Sequence, residues 1–185
     1  EKASRELPKL KERGRRHGIS TTTEVRIGDI DVQILKILKE SKADLLAMGT
    51  HGRRGFERWA LGSVAERMLR HSPIPLVLTA AGTRRSGMRR ILVPCDFSDG
   101  NQEAIGHAVS LAEKTDASIT TLHVIQDRSA AVDWKAFPDQ TAAIRQRLRE
   151  LVPSRNGISC EGRVDSGEPY RVILKTIKNS KPSLV

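Results

Sequence analysis

Two glycines and a later Gly-Ser pair have the spacing of a loop that could hold a phosphate. Gly49 and Gly52 follow an apolar segment, and glycine lets the backbone turn sharply and approach a ligand. Nine residues then separate Gly52 from Gly62 and Ser63, which begin a predicted helix. The free amides and positive dipole end of a helix start attract anions, so we predict donors at Gly62, Ser63 and Val64. The alternative is that these residues form only a tight turn and a helix start.

The residues around this loop carry further signals. Ser63 and Glu66 have the spacing of a capping box, in which the serine caps the helix and the glutamate bonds back. Arg53 could add positive charge beside a phosphate, and His51 could contact it or face solvent. The sequence has no Gly-x-x-x-x-Gly-Lys-Ser/Thr pattern, so we do not expect a P-loop nucleotide hydrolase.

No residue pattern typical of an enzyme or a metal site is recognisable. The sequence shows no paired carboxylates, no Ser-His-Asp set and no metal-ligand cluster, so we predict neither catalytic nor metal-binding residues. Its two cysteines, Cys95 and Cys160, lack metal-ligand spacing, and we expect Cys95 to be buried and unreactive. So few cysteines favour a protein of the reducing cytoplasm.

The charge of the chain is strongly basic but dispersed. There are 32 basic and 22 acidic residues among 185, a net charge of +10. A positive net charge could attract nucleic acid or an anionic membrane. Only 3% of the residues are aromatic, however, which leaves few side chains to stack on the bases of single-stranded nucleic acid. No apolar run approaches the roughly 18–20 residues that span a bilayer. We therefore expect a solvated basic surface, with no nucleic-acid or membrane partner.

The chain contains an internal repeat. Residues 18–46 align without gaps on 157–185 at an offset of 139, and 12 of the 29 pairs are identical. This period has the length of a domain, not of a solenoid repeat. We predict that 1–83 are the C-terminal part of one repeat, 84–89 a linker and 90–185 the N-terminal part of the next. On this interpretation the chain is truncated at both ends.

Short β-branched and apolar segments alternate with segments of helical periodicity. Helices are predicted at 101–114, 140–151, from 167–169 onward and up to His71. Strands are predicted at 44–48, 75–78, 89–93, 118–124 and 158–164. This alternation predicts an α/β fold with a mostly parallel sheet and right-handed crossovers.

The loop motif resembles the ATP-binding signature of the universal stress protein family. The match consists of Gly49-x-x-Gly52, nine residues and Gly62-Ser63, and the segments 43–48, 73–78 and 91–98 are also similar to that family. The resemblance implies a Rossmann-like, doubly wound parallel sheet of five strands in the order 3-2-1-4-5, related to the adenine nucleotide alpha hydrolases. It also implies that the protein pairs as a homodimer or as a tandem pseudo-dimer. The strand at 75–78 could form the contact in such a pair.

The same resemblance implies a site for ATP or AMP, with or without Mg²⁺. The glycine loop and Ser63 would hold the phosphates, while Asp96 and Val124 would meet the ribose and adenine. A turn-capping role for Asp96 is the alternative. The implied nucleotide-binding residues are Gly49, His51, Gly52, Arg53, Gly62, Ser63, Val64, Pro94, Asp96 and Val124.

The predicted site is divided between the two copies, because the loop belongs to the first and Asp96 to the second. One hypothesis is that the chain forms a permuted composite domain or exchanges segments with a neighbour. The expected function is that of an ATP- or AMP-binding stress-response protein with at most weak ATP hydrolysis, which switches shape or partner with nucleotide. The alternative is an interaction module of the same fold that does not bind nucleotide.

Overall fold

The structure is a computed structural model that describes residues 2–50, 62–79, 87–126, 137–153 and 157–185. The chain divides into two compact units, Glu1–Arg84 and Arg85–Val185. Of the predicted site residues, His51, Gly52 and Arg53 lie outside the described ranges.

The first unit holds three helices and two strands. In chain order they are α1 (Lys2–Arg16), α2 (Ile30–Ser41), β1 (Leu46–Gly49), α3 (Ser63–His71) and β2 (Leu76–Thr79). The two strands are parallel and in register from Leu46↔Leu76 to Gly49↔Thr79. Helix α3 is therefore the crossover that a parallel pair of strands requires.

Packing in the first unit centres on α3 and α2. Ala65 and Met68, one turn apart on α3, are buried, as is Leu38 of α2. Asp31 of α2 forms an ion pair with Arg67 of α3, which links the two helices. Asp29 caps α2 by accepting hydrogen bonds from two amides of its first turn.

The second unit holds three strands and three helices. They are β3 (Arg90–Pro94), α4 (Gly100–Thr115), β4 (Ser118–Ile125), α5 (Pro138–Glu150), β5 (Cys160–Ser166) and α6 (Pro169–Ser180). The strands form a parallel sheet in the order β3-β4-β5. On the far edge of β3, Ile91 forms a parallel bridge with Leu184, whose carbonyl accepts the Leu92 amide at 3.0 Å. Strand β3 thus has neighbours on both sides.

The core of the second unit follows from this central strand. Ile91, Leu92 and Val93 of β3 are all buried, which explains why the segment is a continuous apolar run. Ile105, Ala108 and Ala112 of α4 and Leu148 of α5 complete the core; the three α4 residues are spaced at the helical period.

The predicted α/β class with parallel strands is confirmed, but the single five-stranded sheet is not observed. The described residues form two sheets, one of two strands and one of three. Within each sheet, the neighbouring strands nevertheless agree with the expected order 3-2-1-4-5. In the second unit, β5, β4, β3 and the bridge at Leu184 correspond to the third, second, first and fourth strands of that order. In the first unit, β1 and β2 correspond to the fourth and fifth strands.

Among the described helices, none combines the length and the apolar character needed to cross a bilayer.

Candidate functional site

The carboxyl end of β1 leads into the loop that the sequence singles out. Gly49 is the last residue of β1 and pairs with Thr79. The next residue, Thr50, continues this pairing, since its amide donates to the Thr79 carbonyl at 2.9 Å. The Thr50 carbonyl in turn accepts the Gly62 amide at 2.7 Å. This hydrogen bond brings the start of α3 to the end of β1.

The start of α3 differs from the predicted capping box. Gly62 is the N-cap residue, without a side-chain cap, and Ser63 is the first residue of the helix. Glu66 pairs with Arg70 at 3.3 Å and does not bond back. The predicted capping box is therefore wrong, and the N-cap lies one position before Ser63. The N-cap is Gly62, whose carbonyl accepts the Glu66 amide at 2.9 Å.

Two consecutive amides at the start of α3, those of Ser63 and Val64, are available as donors, because the next residue, Ala65, is buried. An α-helix leaves its first amides without acceptors in the helix, and those of Ser63, Val64 and Ala65 accordingly have no acceptor among the described residues. The prediction had placed the donors at Gly62 to Val64, but the Gly62 amide is used by Thr50. The Ser63 side chain is exposed, so its hydroxyl is accessible beside these amides.

In the second unit, Asp96 follows β3 and is held in a tight turn. Its Oδ1 accepts hydrogen bonds from the Ser98 hydroxyl at 2.6 Å and from the Ser98 amide at 2.9 Å. These bonds stabilise the charged form, so the pKa of Asp96 lies below its ordinary value. Asp96 therefore has the turn-forming role that was the alternative, yet its carboxylate remains exposed to solvent.

Pro94 and Val124 lie at the same edge of the sheet as Asp96. Pro94 ends β3 and pairs with Leu122 of β4, and Val124 is half-buried two residues further along β4. Both residues are near the carboxyl ends of parallel strands, where ligands of open α/β sheets bind.

Two features of this edge were not predicted. Asn101, in the first turn of α4, accepts the Asp96 amide at 2.8 Å and donates to the Pro94 carbonyl at 3.4 Å. Phe97 has a positive φ of 63°. The centre of its ring lies 4.9 Å from the centre of the His123 ring and 4.4 Å from Cζ of the Arg147 guanidinium. In the sequence, the position of Asn101 in the first turn of the predicted helix was the one sign of its role. Nothing in the sequence indicated the contact between Arg147 and Phe97, because the two residues are far apart along the chain.

The structure supports no nucleophilic or metal-binding role for the cysteines. Cys95 is buried, and burial raises the pKa of its thiol to about 11, so it stays protonated at neutral pH. Within the described ranges, no group of three or more His, Cys, Asp or Glu side chains is placed to hold a metal ion.

The predicted site residues thus fall into two sets. The first unit carries the residues that are predicted to bind phosphate, Gly49, Gly62, Ser63 and Val64. The second carries Pro94, Asp96 and Val124. Backbone donors in the first set suit phosphate oxygens, and the carboxylate in the second suits hydroxyl donors.

Comparison with known proteins gives consistent matches. The sequence model of the universal stress protein family matches residues 1–80 and 87–185. A universal stress protein of Methanocaldococcus jannaschii is 36% identical over 78 residues, which are 42% of this chain and 46% of that protein.

Solved structures give the same result for the fold. A universal stress protein of Archaeoglobus fulgidus matches with a TM-score of 0.76 and 27% identity, over 98% of this chain and 64% of that one. A putative universal stress protein of Pseudomonas aeruginosa matches with a TM-score of 0.70 and 17% identity, over 97% and 64%, which shows the shared fold alone. The chain therefore spans less than two thirds of the length of these relatives.

Proposed function

Because this chain belongs to the universal stress protein family, we propose that it binds an adenine nucleotide, ATP or AMP, and changes its shape or partner in response. The observation that carries the proposal is the start of α3, where the amides of Ser63 and Val64 and the Ser63 hydroxyl are available. A helix start with free donors and a positive dipole end is suited to phosphate oxygens. Gly49 and Gly62 add no side chain of their own beside these donors.

The second unit carries residues that are suited to a nucleoside. The ionised carboxylate of Asp96 would accept hydrogen bonds from ribose hydroxyls, and the apolar side chain of Val124 would contact the adenine ring. Asn101 holds the backbone of both Pro94 and Asp96 and so fixes the shape of this edge. If Mg²⁺ accompanies ATP, its ligands would be phosphate oxygens and the Ser63 hydroxyl.

We further propose that 1–83 and 90–185 are parts of two successive repeats joined by 84–89. On this proposal, the loop of the first unit and the Asp96 edge of the second unit belong to two separate nucleotide sites. The outer edge of β2 is a candidate for pairing in a tandem protein or between chains, because β2 contacts only β1 among the described strands. We also propose a cytoplasmic location, since the free thiols of Cys95 and Cys160 suit a reducing compartment.

Equilibrium binding of labelled ATP to the full chain tests this function. We expect saturable binding that Ser63→Ala and Gly62→Val each weaken by about tenfold, since one loses a hydroxyl and the other crowds the donors. Asp96→Asn should weaken binding at the second unit by a similar factor and leave binding at the start of α3 unchanged. Ser110→Ala is the matched control, because Ser110 is an exposed serine of α4 outside the proposed site.

Absence of saturable binding would contradict nucleotide recognition and favour the second candidate, an interaction module of the same fold. The large exposed apolar side chains of the first unit are the observation that favours this candidate. ATP turnover that a single side-chain change abolishes would contradict both and indicate an enzyme.

A further inference from the structure

The carboxyl edge of the second sheet carries a second carboxylate, on the other side of Val124 from Asp96. Pro94 of β3 pairs with Leu122 of β4, and Asp96 and Val124 each lie two residues further along the chain. On its other side, β4 pairs with β5, where the partner of Val124 is Asp165. Asp96, Val124 and Asp165 therefore follow one another across three adjacent strand ends.

The spacing of these residues suits a nucleoside. Neighbouring strands lie about 4.8 Å apart, so roughly 10 Å separates the ends of β3 and β5. A nucleoside spans a comparable distance between its ribose hydroxyls and the far edge of its base. Because side chains alternate along a strand, Val124 and its registered partner Asp165 lie on the same face of the sheet. A nucleoside with its ribose at Asp96 and its base on Val124 would thus present the base edge to Asp165.

The Asp165 carboxylate has one oxygen left for a ligand. Its Oδ2 accepts a hydrogen bond from Nη2 of Arg163 at 3.1 Å, whereas Oδ1 accepts none from the described residues. The side chains of Arg163 and Asp165 are 39% and 36% exposed, so their ion pair contributes little to stability. The pair instead holds the carboxylate in place and leaves Oδ1 accessible.

We propose that Asp165 determines which base the second unit binds, by accepting a hydrogen bond from the 6-amino group of adenine. This inference rests on the proposed binding of an adenine nucleoside. Guanine has a carbonyl oxygen in place of that amino group, and a carboxylate, which can only accept, repels it. The N1–H and 2-amino donors of guanine would need both carboxylate oxygens, and Arg163 already holds one of them.

The internal repeat shows that the ion pair does not require this order of charges. At the offset of 139 residues, Glu24 and Arg26 stand where the second copy has Arg163 and Asp165. Arg26 Nε donates to Glu24 Oε1 at 2.6 Å, so the first copy keeps the pair with its charges exchanged. A structural role is satisfied by either order, whereas an acceptor for adenine needs the carboxylate at position 165. Exchanging the charges therefore separates the two roles.

Titration of the full chain with adenosine, guanosine and purine riboside, which lacks the 6-amino group, tests the inference. NMR shifts of the Val124 and Gly167 amides follow binding at this edge, and nucleosides carry no phosphate for the start of α3. We expect adenosine to bind about tenfold more tightly than either of the others, as for one charged hydrogen bond. Asp165→Ala should lower the adenosine affinity to that of purine riboside. The purine riboside affinity should not change, which also shows that the variant is folded.

The charge exchange provides the sharper variant. Arg163→Glu combined with Asp165→Arg keeps an ion pair but puts a donor at position 165. It should abolish the preference for adenosine and favour guanosine, whose carbonyl oxygen accepts from the guanidinium. An adenosine preference that survives this exchange would overturn the inference, because the pair would then be merely structural.

Glu161→Ala is the matched control. Glu161 is an exposed carboxylate on the same strand and face, four residues nearer the amino end of β5, and its loss should leave all three affinities unchanged. An equal loss of preference in this variant would overturn the inference. Saturable adenosine binding without preference over purine riboside would overturn the inference alone. Absence of binding by any nucleoside would contradict the proposed function of the second unit and the inference with it.

Discussion

Residues 18–46 and 157–185 share twelve identical positions, and their local conformations agree closely. Helices α2 and α6 begin and end at corresponding residues. Gly28 and Gly167 have φ values of 133° and 128°, and Lys42 and Lys181 have 50° and 46°. The copies differ where a neighbour is required, since 160–166 form β5 and 21–27 form no strand. Helices and turns thus follow from local sequence, and the strand depends on its partner.

The largest difference should come from placing a charge at a position that is packed in only one copy. Val164→Asp should destabilise the second unit by about 3 kcal/mol, because it puts a carboxylate against the core. Val25→Asp should change the first unit by less than about 0.5 kcal/mol, because Val25 is exposed. The free energies of opening, from hydrogen exchange at Ile119 and Met68, measure the two effects. Equal losses would show that the surroundings are in fact equivalent.

A smaller and equal effect is expected at the paired glycines. Gly28→Ala and Gly167→Ala should each cost about 1–2 kcal/mol, because an L residue is strained at these φ values. The same exchange measurement applies to both units. A cost confined to Gly167, whose amide also donates to the Ile125 carbonyl at 3.0 Å, would mean that the partner strand, and not local sequence, imposes the turn.

The smallest effect should come from relieving the left-handed residues that end α2 and α6. Lys42→Gly and Lys181→Gly should each stabilise their unit by about 0.5 kcal/mol, since glycine adopts a positive φ without a steric cost. Lys36→Gly in the middle of α2 is the control and should destabilise it by about 1 kcal/mol. Opposite signs at Lys42 and Lys181 would contradict the local equivalence of the two copies.

The distinction between what local sequence determines and what depends on a neighbouring segment also explains which predictions from sequence succeeded. Helix α4, predicted at 101–114, and β4, predicted at 118–124, differ from the observed elements by at most one residue at either end, because apolar periodicity and β-branched content are local signals. The capping box at Ser63 was wrong because the hydrogen bond from Gly62 to Thr50 joins segments that are distant in sequence. The stacking of Arg147 on Phe97 likewise depends on how α5 packs.

The turn at Asp96 has a consequence for recognition. Ser98 fixes one carboxylate oxygen with two hydrogen bonds before any ligand arrives, so the side chain has little rotational freedom left to lose on binding. The lowered pKa of this carboxyl keeps it ionised throughout the physiological pH range. A ligand that donates hydroxyl groups to Asp96 would therefore meet a pre-oriented acceptor, and the contribution of Asp96 to its affinity would vary little between about pH 6 and 8.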